Sequence, residues 1–171
     1  MGQLLYGPNQ PVELPANGPA VANDKDPKNI PGMVIRYAGK LYRYVQFDDG
    51  AAVTAVAAGV VYWLTLTVGS GIFIVTSDES AGLAGVNGVA GILGCVVTDQ
   101  YYTWIGVGGP HTAKVASGTI AGDRMVGSAT DLTFDLVHAG NSQPNNIWGI
   151  ALDARESTFG TATILLQNLN W

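Results

Sequence analysis

The fold class is decided by residues 33–50, MVIRYAGKLYRYVQFDDG. Two apolar and β-branched runs, Met33 to Tyr37 and Leu41 to Phe47, flank the tripeptide Ala38-Gly39-Lys40, and Asp48-Asp49-Gly50 follows the second run. Runs of this kind, separated and ended by turn residues, are typical of a β-hairpin. Because the same pattern recurs along the rest of the chain, we predict an all-β body.

Eight further β-type runs follow, bounded by glycine or polar turn residues. They are Val60 to Thr67, Ile72 to Thr76, Gly91 to Thr98, Tyr101 to Val107, Thr112 to Ser117, Asp131 to Val137, Ile147 to Leu152 and Thr161 to Leu166. No stretch shows the 3.6-residue period of an amphipathic helix. Many short strands of this kind indicate a compact β-barrel or β-sandwich.

The interval between Asp49 and Asp78 offers a competing interpretation, because its 28 residues carry no charge. A transmembrane helix needs only about 20 apolar residues. However, the interval mixes threonine and glycine with β-branched residues, contains Gly69-Ser70-Gly71, and has no flanking lysine or arginine. We therefore favour two strands joined by a glycine-rich turn, and we predict no membrane insertion.

The first 32 residues differ from the rest because six of the eight prolines lie between Pro8 and Pro31. Proline prevents a long helix or a central strand. We predict an extended N-terminal arm over residues 1–32 and a β-rich body over residues 33–171. The arm's apolar residues follow no regular period, which suits a segment lying along another surface, with an unattached tail as the alternative. We expect the body to keep its fold without the arm.

The charge content is low and uneven. Charged residues make up 12% of the chain, with a net charge of −5, and residues 51–171 hold only three bases, Lys114, Arg124 and Arg155. Globular proteins average about 25% charged residues, so we predict that part of the surface is covered in an assembly. Nucleic-acid binding relies on clustered lysine and arginine, so the same pattern argues against direct contact with DNA or RNA.

No motif for catalysis, metal binding or cofactor binding is present. No serine has glycines two positions away on both sides, as a nucleophile elbow requires, and Ser70 between Gly69 and Gly71 is typical of a turn. Because His111 and His138 lack the spacing of a zinc site, we predict that both are ordinary surface or strand-end histidines. Cys95 lies in an apolar run and is predicted to be a small buried residue. The adjacent acids Asp48-Asp49 and Asp78-Glu79 are predicted to be solvated turn charges. We therefore expect neither an enzyme nor a cofactor.

The aromatic residues leave three interpretations open. Tyr101, Tyr102 and Trp104 lie in one predicted strand, and Trp63, Trp148 and Trp171 lie elsewhere. They could form part of the core, anchor an interface, or stack on sugar rings, and we favour the core. The third interpretation supports the alternative function, a carbohydrate-binding or adhesive β-module of a virion or cell surface.

Four short groups of residues in the second half show a family likeness: Val89 to Ile105 (VAGILGCVVTDQYYTWI), Gly109-Pro110-His111, Gly118 to Gly127 (GTIAGDRMVG) and Gly149 to Leu152 (GIAL). Together they resemble tailed-bacteriophage capsid decoration, or cement, proteins, over roughly residues 50–168. The resemblance implies a β-barrel or β-tulip-like body, often a homotrimer, on the outer surface of the head. There it would bridge subunits of the major capsid protein and stabilise the shell.

On this resemblance, the arm is expected to contact the capsid. The predicted contact residues are Leu4, Leu5, Tyr6, Pro8, Pro11, Val12, Leu14 and Pro15. The family offers no catalytic residue. The single cysteine and the absence of a secretory signal at the N-terminus suit synthesis in the host cytoplasm before incorporation into the virion.

Overall fold

The computed structural model describes residues 3–4, 12–49, 56–67, 72–78, 88–128, 133–136, 148–154 and 160–167. These ranges contain eleven β-strands, one short 3-10 helix at Pro19–Val21, and no α-helix, which confirms the all-β prediction. The strands are β1 Gln3–Leu4, β2 Val34–Tyr37, β3 Lys40–Phe47, β4 Val60–Thr67, β5 Ile72–Thr76, β6 Val89–Leu93, β7 Tyr102–Val115, β8 Arg124–Gly127, β9 Phe134–Leu136, β10 Gly149–Ala151 and β11 Gly160–Leu166.

The first ring of strands consists of β3, β5, β4, β6 and β7. Neighbours in this order are hydrogen-bonded, and β7 returns to pair with β3, so the ring is closed. Four of its pairings are antiparallel and one, between β3 and β5, is parallel. Closure removes the unpaired strand edges that would otherwise invite pairing with other chains. This ring is called the first barrel below.

The second ring uses the other half of β7. Strands β7, β11, β10, β8 and β9 pair in that order, and β9 returns to β7 through the parallel pair Val115↔Phe134. This second barrel therefore repeats the pattern of the first, with four antiparallel pairings and one parallel pairing. The single 14-residue strand β7 belongs to both barrels and joins them.

The core is continuous through this shared strand. Ile105 and Val107 pack inside the first barrel, and Ala113 and Val115 pack toward the second, all without solvent exposure. A single main cluster of buried apolar side chains thus extends through both barrels. Burial of apolar side chains contributes about 25 cal/mol for each Å² removed from water, so this cluster is the main source of stability.

The hairpin predicted from residues 33–50 is present, with a shorter turn than expected. Tyr37 pairs with Lys40, so the turn consists of Ala38 and Gly39 only, and Lys40 is the first residue of β3. Both turn residues have positive φ, 48° and 78°. Two-residue hairpin turns with this geometry match the right-handed twist of the flanking strands.

The uncharged interval forms strands as predicted, since β4 and β5 have the predicted bounds and pair with each other. Its glycine-rich turn at residues 69–71 lies outside the described residues. Two other predictions were wrong. The runs Tyr101 to Val107 and Thr112 to Ser117 are one strand, because Gly109 and Pro110 continue the ladder with β11. The run from Gly91 to Thr98 is strand only as far as Leu93.

Candidate functional site: the N-terminal segment and the adjoining cleft

Residues 12–32 lie across the first barrel and are attached to the start of β7. The carbonyl oxygen of Ala22 accepts hydrogen bonds from Thr103 Oγ1 at 2.8 Å and from Cys95 Sγ at 3.3 Å. Asp24 and Tyr102 exchange both backbone hydrogen bonds, at 2.8 and 2.7 Å. These bonds satisfy the backbone of an otherwise irregular segment and fix its position on the barrel.

Asp24 is the polar centre of this attachment. Its carboxylate is buried and accepts a hydrogen bond from the Tyr44 hydroxyl at 2.9 Å, and its other oxygen lies 3.1 Å from Lys28 Nζ. The Tyr44 hydroxyl in turn accepts the Lys28 amide at 3.2 Å. Burial raises the pKa of Tyr44, and the adjacent Asp24 carboxylate raises it further. The phenol therefore stays protonated and donates to the carboxylate.

Apolar packing holds the same segment. The second cluster of buried side chains joins the segment to the outer side of β3 and β7 and consists of Ala22, Met33, Ile35, Tyr42, Tyr44 and Trp104. Val12, Leu14, Ala20 and Tyr102 pack against it while partly exposed. Removal of residues 1–31 would uncover this cluster. We therefore no longer expect the body to be unaffected by such a deletion, and we expect a loss of stability.

The eight predicted contact residues fall into three groups. Leu4 lies in β1 and pairs with Ile35, although its side chain is not described. Val12 and Leu14 pack on the second cluster and Pro15 is half-buried, so the described part of the set lies against the chain's own body. The remaining four, Leu5, Tyr6, Pro8 and Pro11, lie outside the described residues. Their capsid contact, and the arm boundary at residue 32, stay predictions.

A cleft of about 290 Å³ adjoins the segment. It lies where the 3-10 helix, the start of β3, the end of β6 and the middle of β7 meet. Its apolar walls are Ala20, Ala57, Ala58, Ile92, Leu93 and Gly94, and its polar lining is Lys40, Tyr42, His111 and Thr112.

His111 forms the inner part of the polar lining. The residue is 6% exposed, its ring meets the Tyr42 ring edge-on at 5.2 Å between centroids, and Nε2 lies 3.1 Å from the Gly108 carbonyl oxygen. A carbonyl can only accept, so Nε2 carries a proton. Burial, together with the charge of Lys40, lowers the pKa of His111 to about 4. The ring is therefore neutral near pH 7, and its prediction as a surface or strand-end histidine was wrong. His138 lies outside the described residues.

The described residues contain no group of three or more His, Cys, Asp or Glu that could hold a metal ion. Asp49, predicted to be a solvated turn charge, is instead buried and accepts a hydrogen bond from Ser77 Oγ at 2.5 Å. Its amide donates to Asp99 Oδ1 at 2.8 Å. This acid therefore holds the end of β3 to neighbouring loops. Cys95 is half-buried, and burial raises the pKa of its thiol, which disfavours the reactive thiolate.

The aromatic residues belong mainly to the core, as favoured. Trp63, Trp104 and Trp148 are 3%, 0% and 7% exposed, and Trp171 lies outside the described residues. Trp104 therefore offers no face on which a sugar ring could stack. Tyr102 is half-buried and stacks on Tyr44, with ring centroids 6.0 Å apart.

The comparisons with known proteins find similarity among solved structures. No family model matches the chain, and no curated protein matches it. Among solved structures, the chain is similar to the head fiber gp8.5 N base of bacteriophage phi29, with 14% sequence identity and a TM-score of 0.43, over 74% of this chain and 93% of that chain. At that TM-score the likeness assigns neither a fold nor a function to this chain.

No helix in the described ranges has the length and hydrophobicity that a membrane span requires. The sequence gives no signal for the cleft, because its local pattern predicts a turn at Lys40 and ordinary strand positions at Tyr42 and Thr112. The alternation within β3 places Tyr42 on the opposite face from Leu41 and Arg43, but no local signal shows which residues from other strands lie beside it.

Proposed function

We propose that this protein is a structural component of a tailed-phage virion that decorates the outer surface of the head and stabilises the shell by bridging major capsid protein subunits. Support comes from the decoration-protein resemblance of residues 89–152 and from the low charge content of the chain. The protein acts without catalysis or a cofactor. Its copies associate with each other, as trimers, and with the shell.

An apolar row on the outside of the second barrel is the observation that carries this proposal. Leu165 of β11 is 40% exposed and lies in register between Pro110 of β7 and Ile150 of β10. Pro110 is exposed, and Ile150 is half-buried. Leu152, 48% exposed, follows β10 and its amide donates to the Thr163 carbonyl on the same sheet. Contiguous apolar surface on a closed barrel is typical of a protein–protein contact.

Stabilisation of the shell follows from mass action. A protein that binds only the assembled lattice lowers the free energy of that lattice by an amount that grows with its concentration relative to its dissociation constant. When one copy bridges two or more subunits, the contacts reinforce one another because the second contact forms at high effective concentration. Many weak, apolar contacts can therefore resist the outward pressure of packaged DNA.

The proposal is tested by adding purified protein to expanded, undecorated heads of the phage that encodes this chain. We expect saturable binding, a copy number that matches the shell's symmetry, and a higher temperature of head disruption. Leu165→Glu should weaken binding at least about tenfold, because it places a charge within a desolvated contact. Thr161→Glu is the matched control, since residue 161 is exposed on the same strand but outside the row. Absence of saturable binding by the unaltered protein would refute the proposal.

Two further measurements address the arm and the oligomer. Deletion of residues 1–11 removes β1 from the edge of β2 but leaves the attachment at Ala22 and Asp24 in place, so the deletion tests the arm while residues 12–32 still cover the second cluster. We expect weaker attachment to heads with an unchanged circular dichroism spectrum. Sedimentation equilibrium tests the trimer, and a strictly monomeric protein at micromolar concentration would contradict that part of the proposal.

A further inference from the structure

The cleft beside the N-terminal segment contains polar groups for which the fold has no evident use. Tyr42 is 6% exposed and lines the cleft, yet its hydroxyl has no hydrogen-bond partner among the residues that the structure describes. Burial raises the pKa of this phenol, so the hydroxyl is a protonated donor. The hydroxyl oxygen keeps contact with solvent although most of the side chain is buried, so it is free to donate to a ligand in the cleft. Tyr44, two residues along the same face, bonds to Asp24.

Lys40 is the second such group. It lines the cleft and forms no ion pair with any residue in the described ranges, where the ion pairs involve Lys28. No aspartate or glutamate lines the cleft. In a protein with a net charge of −5, a lysine without an acidic neighbour beside a buried phenol is a localised positive site on an acidic molecule.

Thr112 completes the set. Thr112 is exposed and lines the same cleft, so residues that carry an ammonium, a phenol and a hydroxyl border one space. His111 also lines the cleft, and because its ring is neutral near pH 7 it adds no positive charge to the cleft. A lining with a lysine, a tyrosine and a threonine and without an acid is suited to an anionic acceptor with two oxygens, which is the chemistry of a carboxylate.

We propose that this cleft binds a glutamate or aspartate side chain of the partner polypeptide that the protein contacts on the head. This inference rests on the proposed function and specifies how the partner is recognised. The carboxylate lies against Lys40 and Tyr42, and the aliphatic part of the same segment packs on the alanine and leucine walls.

The surroundings of the cleft favour a polypeptide over a free small acid. Ala20 and Gly94 form part of its rim, and the nearby Val21 and Val96 are 45% and 58% exposed. Apolar surface therefore continues outside the cleft, beyond the reach of a small molecule. A cleft of about 290 Å³ is at the small end for a complete ligand and suits one anchoring side chain.

Two tripeptides that differ only in charge test the chemistry. Acetyl-leucyl-glutamyl-leucine amide and its glutaminyl analogue are titrated into ¹⁵N-labelled protein, with amide shifts followed by NMR. We expect the glutamyl peptide to bind at about millimolar concentration, at least about tenfold more tightly than the analogue, with shifts at His111 and Thr112. Lys40→Met should abolish this preference, and Tyr42→Phe should weaken the glutamyl peptide about three- to tenfold. Lys25→Met, an exposed lysine outside the cleft, should change nothing.

Equal affinity for the two peptides, no binding of the glutamyl peptide, or an unchanged preference in Lys40→Met would overturn the inference. The head-binding assay separates this result from the proposed function. If the unaltered protein and Lys40→Met bind heads equally well, the partner does not use the cleft, while the decoration role stands. If the unaltered protein does not bind heads, the proposed function fails, and the partner polypeptide is then not a component of the head. The peptide comparison then decides only whether the cleft accepts carboxylates.

Discussion

His111 should make the stability of this protein depend on pH in a range where few other groups titrate. In the folded protein its pKa is lowered from 6.5 to about 4, because burial disfavours the imidazolium and Lys40 repels it. In the unfolded chain the ring is exposed and titrates near its ordinary value. Between these two pKa values the unfolded chain binds more protons, so stability is complete above pH 6.5 and falls as the pH is lowered toward 4.

The size of the effect follows from the two pKa values. At 1.36 kcal/mol for each unit of pKa, the whole difference amounts to about 3 kcal/mol once the pH is below both values. Between pH 7 and pH 5 the expected loss from His111 is about 2 kcal/mol. For a chain of this length, that corresponds to a decrease in Tm of about 4–8 °C.

The assay compares urea or thermal unfolding at pH 7 and pH 5 for three proteins. His111→Gln keeps a donor able to reach the Gly108 carbonyl but cannot titrate, so its loss between the two pH values should be smaller than that of the unaltered protein by about 2 kcal/mol. Thr161→Gln, at an exposed position on β11 with no titrating group, is the control and should lose as much as the unaltered protein. The titration of carboxylates between pH 7 and pH 5 changes the stability of all three proteins by the same amount, so it cancels in the comparison. If the unaltered protein and His111→Gln lose equal stability, the pKa assigned to His111 is wrong.

Two other substitutions test the packing of the first barrel, each with a matched control. Gly32 has φ +87°, and a Cβ at this position would lie 2.2 Å from the Phe73 ring. Gly32→Ala should therefore destabilise the protein by at least about 1 kcal/mol more than Gly39→Ala, because Gly39 also has a positive φ but has open space around it. Equal losses of stability in the two variants would contradict this packing. Arg43 is 4% exposed, and its Nε and Nη1 have no hydrogen-bond partner in the described part of the chain. Arg43→Met should therefore stabilise the protein by about 1–2 kcal/mol, whereas Arg36→Met, at an exposed position, should change its stability by about zero. If Arg43→Met destabilises the protein, the guanidinium contributes favourably. Chemical denaturation measures both pairs.

The all-β character and several strand positions could be predicted from the sequence because they depend on local chemistry. The bounds of β4 and β5 follow from runs of β-branched residues, and the turn at Ala38-Gly39 follows from a glycine between two such runs. Where local chemistry was ambiguous, the prediction failed. Gly109 and Pro110 resemble a strand break, but pairing with Leu165 and Leu166 on β11 continues the strand through them.

The candidate site could not be predicted, because it is formed by residues that are far apart in the sequence. Lys40 and Tyr42 open β3, and His111 and Thr112 lie in the second half of β7. The residue pattern of β3 does not show that it lies beside the second half of β7, and the pattern of β7 does not show it either. The same limit applies to His111, whose burial depends on the contact with Tyr42.

The sequence by itself determined that this chain forms strands and where most of them lie. These properties follow from backbone preferences and side-chain polarity, which act within a few residues. Only the tertiary structure decided that the strands close into two barrels around β7, that the segment from Val12 to Gly32 lies on the first barrel, and that Lys40, Tyr42 and Thr112 share one cleft. Each of these depends on which distant strands pair, and strand pairing is selected by the packing of the whole core.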